Sequence, residues 1–304
     1  MCAGWSAATH KQYSTYLKKW DTFCTSKQWS KTKSCVNNIL EFFTSLFESG
    51  YSYSSINTAK SALLTIVTVN DSKDWNTNSD IVRFFKGVYN MKTPLPKYTS
   101  TWDVDTFLRF LTTLMPLHEL SLKHLTLKAV SLIALVSGCR AQSIHEMNID
   151  FCDKTHNKMC FFFKTKLKTS RPSNKAQTLI VYKYTDESLC VYRTLSAYIE
   201  RTQSLRSSQS LWISWVKPHP VVGRQSISRW LKAALQLCGI DTKTFSGHST
   251  RMASTSKAHA MGVGLTTILQ TAGWSSQHNF IKFYKRDQAQ KGETFADAVL
   301  DLQH

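Results

Sequence analysis

The chain has 304 residues, enough for two domains, and 42% of them are apolar, so a sizeable core can be buried. Lysine and arginine number 38 against 20 aspartate and glutamate residues, a formal charge of +18. This excess predicts a polyanionic partner: nucleic acid first, an anionic membrane surface second, with a merely basic surface as the remaining alternative. No run of about 18 apolar residues occurs, which excludes a predicted transmembrane helix.

The eight cysteines form no CxxC pair and no Cys/His cluster with zinc spacing, so no metal site is predicted. Cysteines within apolar patterns indicate a reducing compartment. Residues 1–8 lack a basic start and an apolar run, so no signal peptide is predicted. The sequence contains no Gly-rich phosphate loop, and we therefore expect no nucleotide and no other cofactor.

Residues 1–92 are predicted to form a helical domain. Apolar side chains recur at helical spacing in four segments, which begin near Tyr13, Val36, Ile56 and Ile81. This part carries 11 basic and 6 acidic residues, so it is basic in its own right. Pro94 and Pro96 forbid helix, and residues 93–98 are interpreted as a linker to a second domain, residues 99–304.

The second domain is predicted to be mainly helical with one small β-sheet. Helices are expected near residues 103–114 and 122–136, the latter ending at Ser137-Gly138. Two strands, 158–164 and 178–182, flank a polar stretch and predict a β-hairpin with a long basic turn. Further helices are expected at about 189–201, 224–238, 249–261, 266–272, 277–285 and 293–302.

One local motif points to chemistry, Gly247-His248-Ser249-Thr250-Arg251. On a helix, His248 and Arg251 share a face near the N-terminus, where free N–H groups favour an anion such as phosphate. An HxxR pair alone is a weak signal, because a single histidine on a helix is more often structural. Its context adds Arg140 after an apolar helix, a hairpin with several lysines, Trp274 and Tyr284.

The order Arg, Lys, HxxR, Trp, Tyr resembles that of the tyrosine recombinases, the phage integrase family, and more narrowly that of DIRS- and Ngaro-type retrotransposon integrases. The narrower resemblance lies in Val216-Lys217-Pro218-His219, Ile227-Ser228-Arg229-Trp230-Leu231, His248-Ser249-Thr250-Arg251, Gly273-Trp274-Ser275-Ser276 and Phe283-Tyr284. It covers about residues 98–290, and in the first 90 residues only the helical character is similar. It implies a helical core-binding domain and an α+β catalytic domain that hold duplex DNA as a C-shaped clamp.

The resemblance also implies which residues bind the scissile phosphate. Arg140 and Arg251 would bind its non-bridging oxygens, since a guanidinium forms paired N–H bonds and stays charged. Trp274 would donate its indole N–H to a phosphate oxygen. These donors would also stabilise the transition state, in which negative charge builds up.

The same resemblance implies a covalent mechanism without metal or ATP. Tyr284 would attack phosphorus and form a 3′-phosphotyrosine bond, while His248 accepts its proton or bonds the phosphate. Lys168 would protonate the departing 5′-oxygen, with Lys166 as the next candidate. Integration or another strand exchange would follow when a second 5′-hydroxyl reverses the step.

Six residues are interpreted as DNA contacts, although each could be an ordinary surface charge: Lys164, Lys166, Lys217, His219, Arg229 and Lys257. An apolar stripe follows the predicted nucleophile, at Phe295, Ala298, Val299 and Leu302. The resemblance implies that this helix docks on a neighbouring protomer, giving a monomer in solution and a homotetramer on double-stranded DNA. Packing within one protomer is the alternative. No membrane partner is expected, and an origin in a eukaryotic mobile element would require nuclear localisation.

Two features depart from the family pattern. Ser143 stands where many members carry an acid, and Trp274 is ten residues before Tyr284, one more than in common bacterial members. Two other functions remain open, a domesticated DNA-binding protein without catalysis and a type IB topoisomerase. The two-proline linker and the HxxR match favour a recombinase.

Overall fold

The structure, a computed structural model, describes residues 5–67, 75–95, 98, 100–165, 167, 178–274 and 280. By its internal contacts the chain divides into two compact units, Met1–Pro96 and Lys97–His304. Within the described ranges, no helix is both long enough and apolar enough to cross a bilayer.

In the described part of the first unit, four α-helices lie where the sequence predicts them. They are α1 (Ala7–Lys27), α2 (Val36–Glu48), α3 (Tyr53–Leu63) and α4 (Ser79–Met91). Ser6, Ser52 and Asn78 begin α1, α3 and α4, and each accepts hydrogen bonds from amides of the first turn. The apolar faces close one core, whose buried members include Trp20 and Phe42.

The second unit is built around one buried helix. Its helices are α5 (Val104–Thr113), α6 (Leu122–Ser137), α7 (Ala141–His145), α8 (Val191–Thr202), α9 (Arg224–Leu237), α10 (Ser249–Ala260) and α11 (Leu265–Ala272). Helix α6 is buried on nearly every side and packs against α8, α9 and α10. It therefore has apolar residues all round rather than along one stripe.

A small antiparallel sheet completes this unit. Its strands are β1 (Cys152–Lys154), β2 (Lys158–Phe162) and β3 (Thr178–Tyr182), in the order β1-β2-β3. Burial alternates along β2 and β3, so Met159 and Phe161 face the core while Tyr182 faces solvent. The predicted fold class, mainly helical with a small sheet, is confirmed.

The structure differs from the predicted elements in detail. Strand β2 ends at Phe162 rather than at residue 164, and neither β1 nor α7 is predicted from the sequence. Both are too short, at three and five residues, to display a periodic pattern. The predicted helices at 277–285 and 293–302 and most of the hairpin turn lie outside the described residues.

Candidate active site

Three separated segments meet at the guanidinium of Arg251. Helix α6 ends at Gly138, whose φ of 54° lies in the left-handed region that favours glycine. The Gly138 carbonyl accepts a hydrogen bond from Nη1 of Arg251, and the same nitrogen donates to the carbonyl of Ala272 at 2.7 Å. Arg251 is only 2% exposed. The guanidinium therefore joins the ends of α6 and α11 to helix α10.

Space around Gly138 is as restricted as its backbone. A Cβ added there would lie 3.1 Å from the Thr255 side chain and 3.4 Å from Cβ of Ala272. A larger residue would require the Thr255 side chain to shift and would also be strained by the left-handed backbone. Gly138 is thus required both for its conformation and for the close approach that brings its carbonyl to Arg251.

The indole of Trp274 covers the same guanidinium. Helix α11 ends at Gly273, with φ of 67°, and Trp274 follows immediately. The central carbon of the Arg251 guanidinium lies 3.9 Å from the centroid of the Trp274 ring, a cation–π contact. The indole also contacts Phe280, with 5.4 Å between the two ring centroids. Sequence motifs 23 positions apart are therefore in direct contact.

His248 stands at the beginning of α10, one turn before Arg251. Its side chain is exposed, and its carbonyl accepts from the amide of Arg251 at 3.3 Å. The preceding residue, Gly247, is buried against α9: a Cβ there would lie 2.5 Å from the Ser228 carbonyl oxygen and 3.1 Å from Cβ of Leu231. The HxxR turn is thus seated directly on the backbone of α9.

Arg140 begins α7, two residues after the carbonyl that Arg251 binds. Burial raises the pKa of the intervening Cys139 thiol, while the positive charges of Arg251 and Arg140 both oppose that rise. The charges of both guanidinium groups therefore reach the Cys139 thiol. Arg140 is half-buried and forms no ion pair with any residue in the part of the chain that the structure describes.

The base of the hairpin is tied to the end of α7. The Thr165 hydroxyl donates to Oε2 of Glu146 at 2.9 Å, and Oε1 of Glu146 lies 3.2 Å from Nδ1 of His145. Lys164 is exposed, with its ammonium 3.7 Å from the ring centroid of Phe151. The base of the hairpin at Thr165 is therefore fixed to the residue that follows α7.

Three predicted site residues, Lys166, Lys168 and Tyr284, lie outside the described residues. The structure brings Arg251 and Trp274 into contact, while Arg140 follows the bonded Gly138 by two residues and His248 precedes Arg251 by one helical turn. Among the ranges described, no group of three or more His, Cys, Asp or Glu side chains could hold a metal ion.

The predicted DNA contacts differ in their surroundings. Lys217 is exposed in a tight turn, and Arg229 is exposed on α9 with a long bond of 3.3 Å to Ser226. His219 turns inward, where its Nδ1 lies 2.9 Å from the Ser214 carbonyl. Lys257 forms an ion pair with Asp105. Lys217 and Arg229 are therefore the more available of these four.

Helix α9 carries a basic face that the sequence analysis did not single out. Arg224 and Lys232 are exposed with Arg229, and α9 contains no acidic residue. Arg224, Ser228 and Lys232 are spaced by four and form one stripe. Because Gly247 rests on the backbone at Ser228 and Lys232, this stripe leads to the His248 turn. The four-residue spacing of these polar side chains in the sequence could have indicated the basic face.

No family model matches this sequence, and no curated protein matches it either. Several solved structures, in contrast, match this chain. A lambda integrase dimer bound to a COC′ core site matches with a TM-score of 0.57 and 12% identity, over 96% of this chain and 93% of that one. The Tn1549 transposon integrase in complex with transposon right end DNA gives 0.56 and 14%, over 86% and 82%.

The XerH site-specific recombinase bound to difH substrate gives a TM-score of 0.55 and 14% identity, over 82% of this chain. The match spans 66% of the XerH chain, so part of that protein has no counterpart here. At such identities the likeness establishes the fold alone. The chain has the fold seen in these recombinases and integrases.

Proposed function

We propose that this protein is a DNA recombinase that cleaves and rejoins duplex DNA through a 3′-phosphotyrosine intermediate. One observation carries the proposal: Arg251 binds the carbonyl two residues before Arg140, stacks under Trp274 and follows His248 by one helical turn. The closeness of these three motifs along the folded chain supports phosphoryl transfer as the proposed chemistry.

The described residues supply the charge that such a reaction needs. A half-buried arginine without an intramolecular ion pair in the described chain, Arg140, is suited to an anion from outside. Arg251 is committed to two carbonyls through Nη1, so any phosphate contact would use the other edge of its guanidinium. The exposed His248 would bond the phosphate or take a proton from the nucleophile. Charge building on the transition state would be met by both arginines.

Tyr284 and Lys168 complete the proposed reaction. The phenolic oxygen of Tyr284 attacks phosphorus, the bond to the 5′-oxygen breaks, and Lys168 supplies the proton that makes this oxygen a hydroxyl. A 5′-hydroxyl of another strand then attacks the phosphotyrosine, and the phenol leaves. Each step exchanges one phosphoester for another, so the bond energy is retained and no ATP is consumed.

The basic stripe on α9 supports duplex DNA as the substrate. Arg224, Arg229 and Lys232 form a run of exposed cations without an acid on the helix, next to the His248 turn. Phosphate contacts of this kind supply affinity that is independent of sequence and falls with salt. Lys217 and Lys164 extend the proposed contact. A homotetramer on DNA, a monomer in its absence, a retrotransposon-type origin and nuclear localisation are further parts of the proposal.

The decisive experiment is to trap the covalent intermediate. The full-length protein is incubated with a pool of duplexes of randomised sequence that carry 5′-bridging phosphorothiolate linkages, which prevent religation. SDS-stable protein–DNA adducts are isolated and the modified peptide is sequenced. We expect DNA on Tyr284 and no adduct with Tyr284→Phe. Tyr182→Phe is the matched control, because Tyr182 is 62% exposed on the sheet and should leave adduct formation unchanged.

The outcomes separate the three functions. Adducts with exchange of strands between two duplexes identify a recombinase, whereas adducts with relaxation of supercoils alone identify a topoisomerase. DNA binding without any adduct identifies a non-catalytic binding protein and overturns the proposal. Mass photometry of the protein with and without a trapped duplex tests the change from monomer to tetramer.

A further inference from the structure

A network of hydrogen bonds attaches the beginning of the second unit to the turn before His248. The entry segment, residues 98–105, lies about 150 positions from that turn in sequence. Nε1 of Trp102 donates to Oγ of Ser249 at 2.9 Å, and this hydroxyl donates to the carbonyl of Ser246 at 2.6 Å. Trp102 is 5% exposed and Ser249 fully buried, so the chain of bonds is shielded from water.

Tyr98 contacts Ser246 at its amide and at its hydroxyl. Its phenolic oxygen accepts from the amide of Ser246 at 3.3 Å and lies 2.9 Å from the Ser246 hydroxyl. The Tyr98 ring stacks on Phe245 with 5.5 Å between centroids. The amide, carbonyl and side chain of Ser246 are therefore all engaged, directly or through Ser249, by the entry segment.

The next two residues show what this attachment controls. Gly247 is confined by the α9 backbone, and His248 then emerges with an exposed imidazole. The turn is thus fixed on one side by α9 and on the other by Tyr98 and Trp102. An additional ion pair, between Asp105 and Lys257, joins the entry segment to α10 further along.

We infer that Tyr98 and Trp102 are positioning residues for His248 and Arg251, acting through Ser246 and Ser249. Neither touches the reacting atoms. Each removes freedom from the turn that carries the imidazole, and precise placement is worth large factors in rate. This inference rests on the proposed function for its catalytic consequence, whereas the restraint of the turn is a property of the protein alone.

Three substitutions break this network: Trp102→Phe removes one hydrogen bond, whereas Ser249→Ala and Tyr98→Phe each remove two. Trp20→Phe is the matched control, because Nε1 of Trp20 also donates one bond, to the Lys31 carbonyl at 2.9 Å, but in the first unit. Amide hydrogen exchange is followed by mass spectrometry on the free, full-length protein. Each substitution should accelerate exchange in the peptide covering residues 245–252 by at least about fivefold. The control should leave that peptide unchanged.

Cleavage of a duplex recovered from the trapping pool is then measured under single-turnover conditions at saturating DNA. We expect Trp102→Phe and Ser249→Ala each to lower the cleavage rate by about fivefold with an unchanged Kd, and the double variant to be no slower than either. Unchanged exchange in all three variants would overturn the inference, and so would faster exchange with wild-type cleavage. If the wild-type protein forms no adduct, the proposed function fails, and the exchange data still decide whether the entry segment restrains the turn.

Discussion

The contact between Gly247 and α9 gives a sharp test of how the site is held. In Gly247→Ala, the new methyl group would lie 2.5 Å from the Ser228 carbonyl oxygen, whereas ordinary contact begins near 3.4 Å. The obstacle is helix backbone rather than a side chain, so it cannot rotate away. The turn must therefore move from α9 by about 1 Å. Overpacking of this kind costs roughly 1 to 3 kcal/mol of unfolding free energy.

The displacement should matter more for the reaction than for the fold. A catalytic group misplaced by about 1 Å can lose on the order of 100-fold in rate, and His248 is the next residue. Urea titration gives the stability, and single-turnover trapping of the Tyr284 adduct gives the rate. Gly264→Ala is the control, since no atom lies within 4 Å of its added methyl group and only a helix cap changes. It should cost up to about 1 kcal/mol and leave cleavage intact.

A Gly247→Ala protein that cleaves as fast as Gly264→Ala would refute the claim that α9 sets the position of His248. Wild-type stability in Gly247→Ala would refute the close contact itself.

Three further predictions concern the described residues. Arg251→Lys should cost about 2 to 4 kcal/mol in urea titration, because one ammonium cannot bond two carbonyls and also stack on Trp274; an unchanged midpoint would contradict the joining role of the guanidinium. Trp274→Phe keeps an aromatic face on Arg251 but removes the N–H, so adduct formation should fall about tenfold if the indole bonds the phosphate, and an unchanged rate would leave Trp274 a packing role only. Burial of the Lys128 ammonium in α6 lowers its pKa from 10.5 to about 8. Between these values the unfolded chain binds the extra proton, so stability should rise with pH by at most about 1.4 kcal/mol per unit, relative to Lys128→Met measured in the same buffers. Parallel curves for the two proteins would argue against the depressed pKa.

Much of the fold could be predicted because its signals are local. Helix α6 is rich in apolar residues and stops where Gly138 permits a left-handed residue, and the structure ends it at Ser137. The hairpin strands followed from alternation. Short elements such as α7 carry too few residues for any period, and they form because neighbouring segments hold them. Arg140 follows the end of α6, and the helix that it begins is not predicted from the sequence.

The contacts within the site could not be predicted from sequence. Nothing local indicates that Arg251 is nearly buried, because its burial depends on the ends of α6 and α11, and these lie 113 and 21 residues away. The same holds for the pairing of Lys257 with Asp105, which are 152 positions apart. Gly247 stands out in the sequence as a glycine next to the HxxR motif. The reason that a glycine is needed there, its contact with the backbone of α9, is visible only in the structure.

The double commitment of Arg251 has an evolutionary consequence. A descendant that had ceased to cut DNA would still need this guanidinium to keep three segments joined, so selection for folding alone would preserve it. An Arg251 that is retained in such an inactive descendant is therefore poor evidence of activity. Arg140 forms no ion pair with a carboxylate in the described part of the chain, so folding does not constrain it in this way. Its loss would be the earlier sign that an enzyme had become inactive.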